Sequence, residues 1–156
     1  MKSDIYRNFR EWPYKDVKKR IIAEPLLCDD NAVDGGLIDY KFYCFNGEPK
    51  LLFVATGRTE MATCADYFDM DFNKLDIIWG YPHSNELIKK PTQFEKMKVL
   101  AAALSRGVPE LRVDFYEVNG KVFFGELTFF DGSGFAKIVP EEWDVKLGDW
   151  IILNQY

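Results

Sequence analysis

Four side chains in the stretch 111–134 have the types and spacing to handle a charged ligand. Arg112 and Asp114 lie two residues apart, and Glu126 and Thr128 repeat that spacing a dozen residues on. Two carboxylates and a hydroxyl at close quarters offer the hard oxygen ligands that suit Mg²⁺, which takes one or two carboxylates and fills its octahedron with phosphate oxygens and water. An arginine beside them can stabilise charge developing on a transferring phosphoryl group. The plainer alternative is a cross-strand salt bridge of Arg112 with Glu126 on a solvated face.

A β-hairpin must position these groups. Two runs of β-branched and aromatic residues flank Asn119-Gly120, a strong hairpin signal. A two-residue turn would pair Val118 with Lys121 and put Glu126 on the opposite face from Arg112 and Asp114. A three-residue loop, Val118-Asn119-Gly120, pairs Glu117 with Lys121. It gathers Leu111, Val113, Phe115, Phe123, Gly125, Leu127 and Phe129 on one apolar face, and Arg112, Asp114, Glu126 and Thr128 on the other. Burial selects register, because a one-residue slip turns a whole strand over. The three-residue loop is therefore the expected one.

The segments around the hairpin extend this reading. Arg20 to Leu27 reads as a strand that Pro25 confines to an edge or an end. Leu37 to Phe45 and Pro49 to Ala55 form a second hairpin across Asn46-Gly47, and alternation puts Asp39 and Lys41 on one face. Tyr67 to Phe72 is a short strand leading into a turn. Asp69-x-Asp71 there matches the metal motif of nucleotide-sugar glycosyltransferases, although aspartates equally cap turns. His83, the only histidine, follows Pro82 in a polar loop and reads as a surface residue. Pro91 to Arg106 is an amphipathic helix, with Thr92 and Glu95 as a capping box and Phe94, Met97, Leu100, Ala101 and Leu104 as its apolar stripe. Gly107 ends it. Asp131-Gly132-Ser133-Gly134 is a loop that lets backbone approach a ligand. Pro140 opens a short helix, and Trp143, Leu147 and Trp150 pack on the domain. The fold class is α+β: an antiparallel sheet of two hairpins with one packing helix. Residues 1–19 read as a linker or N-terminal extension, and 20–156 as the domain.

Several blocks resemble the TupA-like branch of the ATP-grasp ligases, named for teichuronopeptide biosynthesis and associated with polysaccharide and capsule production. They are Glu-Trp-Pro-Tyr-Lys at 11–15, Arg-Ile-Ile-Ala-Glu at 20–24, the run Asp-Tyr-Lys-Phe-Tyr-Cys-Phe-Asn-Gly-Glu-Pro-Lys at 39–50, and Gly-Tyr-Pro at 80–82. Arg-Val-Asp at 112–114, Gly-Glu-Leu-Thr-Phe at 125–129, Gly-Ser-Gly-Phe at 132–135 and Pro-Glu-Glu-Trp-Asp at 140–144 complete the set. The resemblance implies that the chain is the C-terminal subdomain of an ATP-grasp fold, with ATP and Mg²⁺ as cofactors and a carboxylate acceptor. The family chemistry makes an acylphosphate from which an amine displaces phosphate. By the same resemblance Ala23, Glu24, Leu26 and Leu27 match the hinge that holds adenine, with Pro25 standing where the family more often has lysine. The bland alternative for that segment is an ordinary edge strand. Asp39 would lie near the ribose and Lys41 near the phosphates, against the plain alternative of a surface charge pair. Asp114, Glu126 and Thr128 would hold Mg²⁺, with Thr128 in place of the superfamily's usual asparagine, and Arg112 would steady the acylphosphate. The family's upstream Lys-Cys-Asn-His-Asp-Ser-Gly-type segment does not occur in this sequence. This implies weak or no catalysis by the chain alone, with an N-terminal half in trans or self-association completing the clamp. A non-catalytic remnant or binding module is the second reading, and a glycosyltransferase-related protein the third.

Composition bounds the rest. The 156 residues suit one domain. With 47% hydrophobic and 29% charged residues the chain is globular. A formal net charge of -5 argues against a nucleic-acid partner. Cys28, Cys44 and Cys64 show no metal-ligand spacing and read as reduced thiols. No apolar run is long enough to span a bilayer and no signal peptide is evident, which implies a cytoplasmic protein.

Overall fold

The computed structural model describes residues 5–29, 36–56 and 63–153. In chain order its strands are β1 (Asp39–Phe45), β2 (Glu48–Thr56), β3 (Cys64–Phe68), β4 (Lys74–Leu75), β5 (Ile78–Trp79), β6 (Glu110–Val118), β7 (Lys121–Thr128) and β8 (Ile138–Val139). The helices are α1 (Ile5–Phe9), α2 (Phe94–Leu104) and α3 (Glu141–Asp149). Six strands form one sheet in the order β4-β3-β2-β1-β6-β7, while β5 and β8 form a separate ribbon. Every pairing is antiparallel. The fold is α+β, with four more strands than the two expected hairpins supply.

Both hairpin turns are set by Asn-Gly. Asn46 and Gly47 have φ of 54° and 86°, and Asn119 and Gly120 have 50° and 71°. Two successive left-handed residues make the two-residue turn whose twist matches the flanking strands. Val118 therefore pairs directly with Lys121, and the three-residue loop expected between β6 and β7 does not form. The pairing then shifts between Val113 and Phe115. Phe115 lies opposite Phe124 and Val113 opposite Leu127, so Gly125 and Glu126 together face Asp114. This β-bulge inserts one residue into β7 and reverses its face assignment. Beyond it Arg112 pairs with Thr128. The predicted face sharing of Arg112, Asp114, Glu126 and Thr128 is therefore kept at the site. Nearer the turn it fails: Phe123 pairs with Tyr116, not with the apolar face.

Alternation gives the sheet two cores. Tyr40, Phe42, Leu52, Val54, Leu111, Val113 and Phe115 face α2, which contributes Phe94, Met97 and Ala101. Tyr43, Phe45, Leu51, Phe53, Ala65 and Tyr67 face the other way and meet Ile77, Ile138 and Leu147, with Trp143 and Trp150 packed alongside. The helix α2 is shorter than expected and lacks its capping box: Gln93 is the N-cap and makes no side-chain cap bond. The Glu117 carboxylate reaches over from β6, accepts from the Gln93 amide at 3.1 Å and takes the Thr92 hydroxyl. Glu95 instead pairs with Lys98 at 2.6 Å. An ionised carboxylate is the stronger acceptor, and it displaces the local box.

The strand expected from Arg20 to Leu27 is absent. That segment has no regular secondary structure, with Ile21 85%, Ile22 78% and Leu26 88% exposed. Strand propensity records fit to a half-buried pleated surface, and among the described residues no strand pairs with this segment. Among the described residues no helix is long and apolar enough to cross a membrane.

Gly125 explains why the bulge needs glycine. A Cβ there would lie 3.1 Å from the Asp114 carbonyl oxygen and 3.2 Å from the Tyr116 ring. The carbonyl belongs to an interior strand and cannot retreat. Gly125→Ala is expected to cost about 1–3 kcal/mol, the usual penalty of overpacking, in urea unfolding. Unchanged stability would show that the bulge does not depend on the missing side chain.

Candidate functional site

The register of β1 against β6 places Lys41 opposite Asp114 and Tyr43 opposite Arg112. These cross-strand pairs share the face of Asp39, and all five side chains are buried. Asp114 is the hub. Arg112 Nε meets its Oδ1 at 2.8 Å and Arg112 Nη2 its Oδ2 at 2.9 Å. Lys41 Nζ binds the same Oδ2 and lies 3.0 Å from Asp39 Oδ2. Arg112 Nη2 also reaches Glu126 Oε1 at 2.9 Å, and Nη1 reaches Asp131 Oδ1 at 2.8 Å. The Tyr43 hydroxyl donates to Asp131 Oδ2. Among the described residues four carboxyl groups thus surround two basic side chains.

Burial sets the protonation states. Burial alone would lower the Arg112 pKa, but the hydrogen bond and charge of Asp114 outweigh it and push the value up. Arg112 is permanently charged. Burial, reinforced by Asp131, pushes the Tyr43 hydroxyl well above its usual value, so it stays a donor. Glu110, two residues before Arg112 on β6, is raised to about 7 by burial and then by the Asp131 charge.

The rim comes from both ends of the chain. The loop Asp131–Gly134 has φ of 55°, 57° and 75° at Gly132, Ser133 and Gly134. The Ser133 hydroxyl donates to Glu11 Oε1 at 2.7 Å, and the Phe129 amide to the Tyr14 hydroxyl at 3.2 Å. Tyr14 and Phe129 also meet edge to face. Residues 11–14 of the segment read as a linker thus touch the rim of the site.

Of the residues singled out in the sequence, Asp39, Lys41, Arg112, Asp114 and Glu126 come together in one network. Thr128 is half-buried opposite Arg112. Ala23, Glu24 and Leu26 are exposed and Leu27 is half-buried, on the segment without a strand. Asp131 and Tyr43 are further members that the sequence alone does not single out, and Glu110 lies close enough to feel the charges of Asp131 and Arg112. Period-2 counting along β1 and β6 would have placed Tyr43 and Glu110 on the right face, but nothing local marks Asp131. Among the described residues no group of three or more His, Cys, Asp or Glu side chains is arranged to hold a metal ion. The donors nonetheless suit Mg²⁺ with phosphate and water. Glu126 is 62% exposed at its side chain. Asp114 has three of its roughly four acceptor positions filled by Arg112 and Lys41.

Two other polar centres lie away from this face. Asp69 Oδ1 accepts from the Asp71 and Asn73 amides at 2.9 and 2.8 Å, so it closes a turn as aspartates do. His83 is half-buried, not a free surface residue: its Nδ1 lies 3.1 Å from Oδ1 of buried Asp66, which Lys74 also pairs at 2.6 Å.

A sequence model of the family described as TupA-like ATPgrasp matches residues 1–152. The chain belongs to the ATP-grasp proteins, and within them to this TupA-like family. No curated protein matches it, and no solved structure does.

Glu110 supplies a pH signature of the site. Folded, it holds its proton to about 7; unfolded, it releases it near the usual 4.5. Between these values the folded chain binds more protons, so this group's contribution to stability falls as pH rises and is flat above the window. Wild type is expected to lose stability across that window relative to Glu110→Gln in urea melts. Parallel pH profiles for the two proteins would contradict the assignment.

Proposed function

We propose that the chain is the metal- and nucleotide-binding, C-terminal subdomain of an ATP-grasp carboxylate-amine ligase in the biosynthesis of cell-surface polysaccharide or teichuronopeptide. Membership of the family supports the class. One observation carries the site: Asp39, Lys41, Arg112, Asp114 and Glu126, from three strands, converge on one face of the sheet in a single network of ion pairs.

In this reading Glu126, with Asp114 and Thr128 completing the protein donors, would hold Mg²⁺, which would supply positive charge to the phosphate oxygens of ATP. Lys41, fixed between Asp39 and Asp114, presents a positive charge to the phosphates, and Asp39 faces the ribose. Arg112 orients the acceptor carboxylate and steadies the acylphosphate that forms on it. Positioning and preorganised charge supply most of the barrier reduction in such chemistry. The segment of Ala23, Glu24, Leu26 and Leu27 lies outside any strand, with the first three residues exposed, and its backbone would meet the adenine ring. An ATP-grasp half supplied in trans, or a second copy, closes the site from the Glu126 side.

A non-catalytic binding module is the second reading. It is favoured by the saturation of Arg112, whose three nitrogens all meet carboxylates. The glycosyltransferase reading loses its motif, because Asp69 is bound into its own turn.

Thermal melts decide between ligase part and module. A ligand at 100 times its Kd adds about 2.7 kcal/mol. Mg-ATP at millimolar concentration is therefore expected to raise the wild-type Tm by several degrees. Glu126→Gln should melt like wild type without ligand, since exposed substitutions cost within about 0.5 kcal/mol, and should lose the shift. A wild-type chain whose Tm ignores Mg-ATP supports the module.

A further inference from the structure

We propose that Arg112 Nη1 and the Tyr43 hydroxyl form an oxyanion-binding site, that the Asp131 carboxylate fills it as an internal stand-in, and that a phosphoryl or carboxylate group of the ligand displaces Asp131. The inference rests on the anion-handling role just given to Arg112, and it adds which of that residue's donors does the work and what guards it.

The two donors are fixed. Tyr43 and Arg112 are direct cross-strand partners in the middle of the sheet and are almost fully buried. Asp114 grips Arg112 through Nε and Nη2, which leaves the Nη1 edge turned to the loop. The Tyr43 ring stacks on Trp79 with centroids 5.0 Å apart. Its hydroxyl stays protonated, because burial and Asp131 both raise its pKa.

The occupant is of the opposite kind. Asp131 is carried by a loop whose next three residues all have positive φ, and its side chain is 27% exposed. Its two oxygens bridge Nη1 and the hydroxyl, one each. Two acceptor oxygens held by an arginine edge and a neighbouring donor is the arrangement a carboxylate or a phosphate edge makes. Asp39, Asp114 and Glu126 already outnumber Lys41 and Arg112 by formal charge, so Asp131 is not required as a counter-ion. An incoming anion replaces one negative group with another, and the loop is then released from the site.

Calorimetric titration with pyrophosphate, and separately with succinate, both without metal, tests this. Asp131→Ala is expected to bind at least one of them about tenfold more tightly than wild type, the scale of freeing one charge-assisted hydrogen bond. The probe with the larger gain names the group the site prefers. Glu126→Gln removes an equally close carboxylate from the same guanidinium but leaves the site filled, so its gain should be clearly smaller. Adding Tyr43→Phe to Asp131→Ala should abolish most of the gain. If Asp131→Ala does not fold, Asp131→Asn replaces it and the same ranking over Glu126→Gln decides. Equal gains for the two carboxylate variants would mean general charge relief and overturn the proposal, as would binding no tighter than wild type. Neither probe carries a nucleoside, so a chain that ignores Mg-ATP leaves this test intact.

Discussion

The Asp114 carboxylate, buried between two cations, is the constraint on which the rest of the structure depends. Lys41 and Arg112 are both almost fully shielded from water, and each finds its counter-charge on that one group. Removing one partner of such a buried set typically costs 3–5 kcal/mol, because a desolvated charge is left without compensation. The alignment of β1 with β6 that makes Lys41 face Asp114 is therefore tied to the charges as firmly as to the apolar core behind it. A slip of one residue would bury two cations beside Phe115 and Val113.

The remaining elements maintain this arrangement. The bulge at Gly125-Glu126 turns β7 so that Glu126 joins Arg112 while Leu127 still packs towards α2. Glu117, further along β6, anchors the start of α2 and holds the first core against the sheet. On the opposite face, Trp79, Trp143, Trp150 and Leu147 pack with Tyr43, Phe45 and the apolar residues of β2 and β3, while Asp39 and Lys41 of β1 join the polar side chains of β6 and β7. Rigid strands carry the cations, and a glycine-rich loop carries Asp131. The proposed displacement rests on that contrast between donors held on strands and an acceptor held on a loop.

Much of the central hairpin was legible because its signals are local. Asn119-Gly120 fixes a turn, and alternation sorts the side chains above and below. Arg112, Asp114 and Glu126 share a face by a different route from the expected three-residue loop: a two-residue turn pairs Val118 with Lys121, and the bulge restores the parity. The bulge itself was not legible, since Gly125 is demanded by the Asp114 carbonyl across the sheet and by nothing beside it in sequence. The same holds for the cap of α2, supplied from 24 residues away by Glu117, and for Asp131, whose hydroxyl partner lies 88 residues off. The strands β4, β5 and β8 have two residues each, too short for any period to show. Arg20 to Leu27 shows the reverse: its residue types suit a strand, but among the described residues no strand pairs with it.

The most direct test of the central claim, that this buried network is a ligand site and not only an ion-pair lattice, is a crystal structure grown with Mg²⁺ and a non-hydrolysable ATP analogue. The phosphates are expected over Lys41 and Arg112, the ion about 2.0–2.1 Å from a Glu126 oxygen, and Asp131 withdrawn from Arg112. A nucleotide seated elsewhere, or a network still closed on Arg112 with the analogue absent, would contradict the claim.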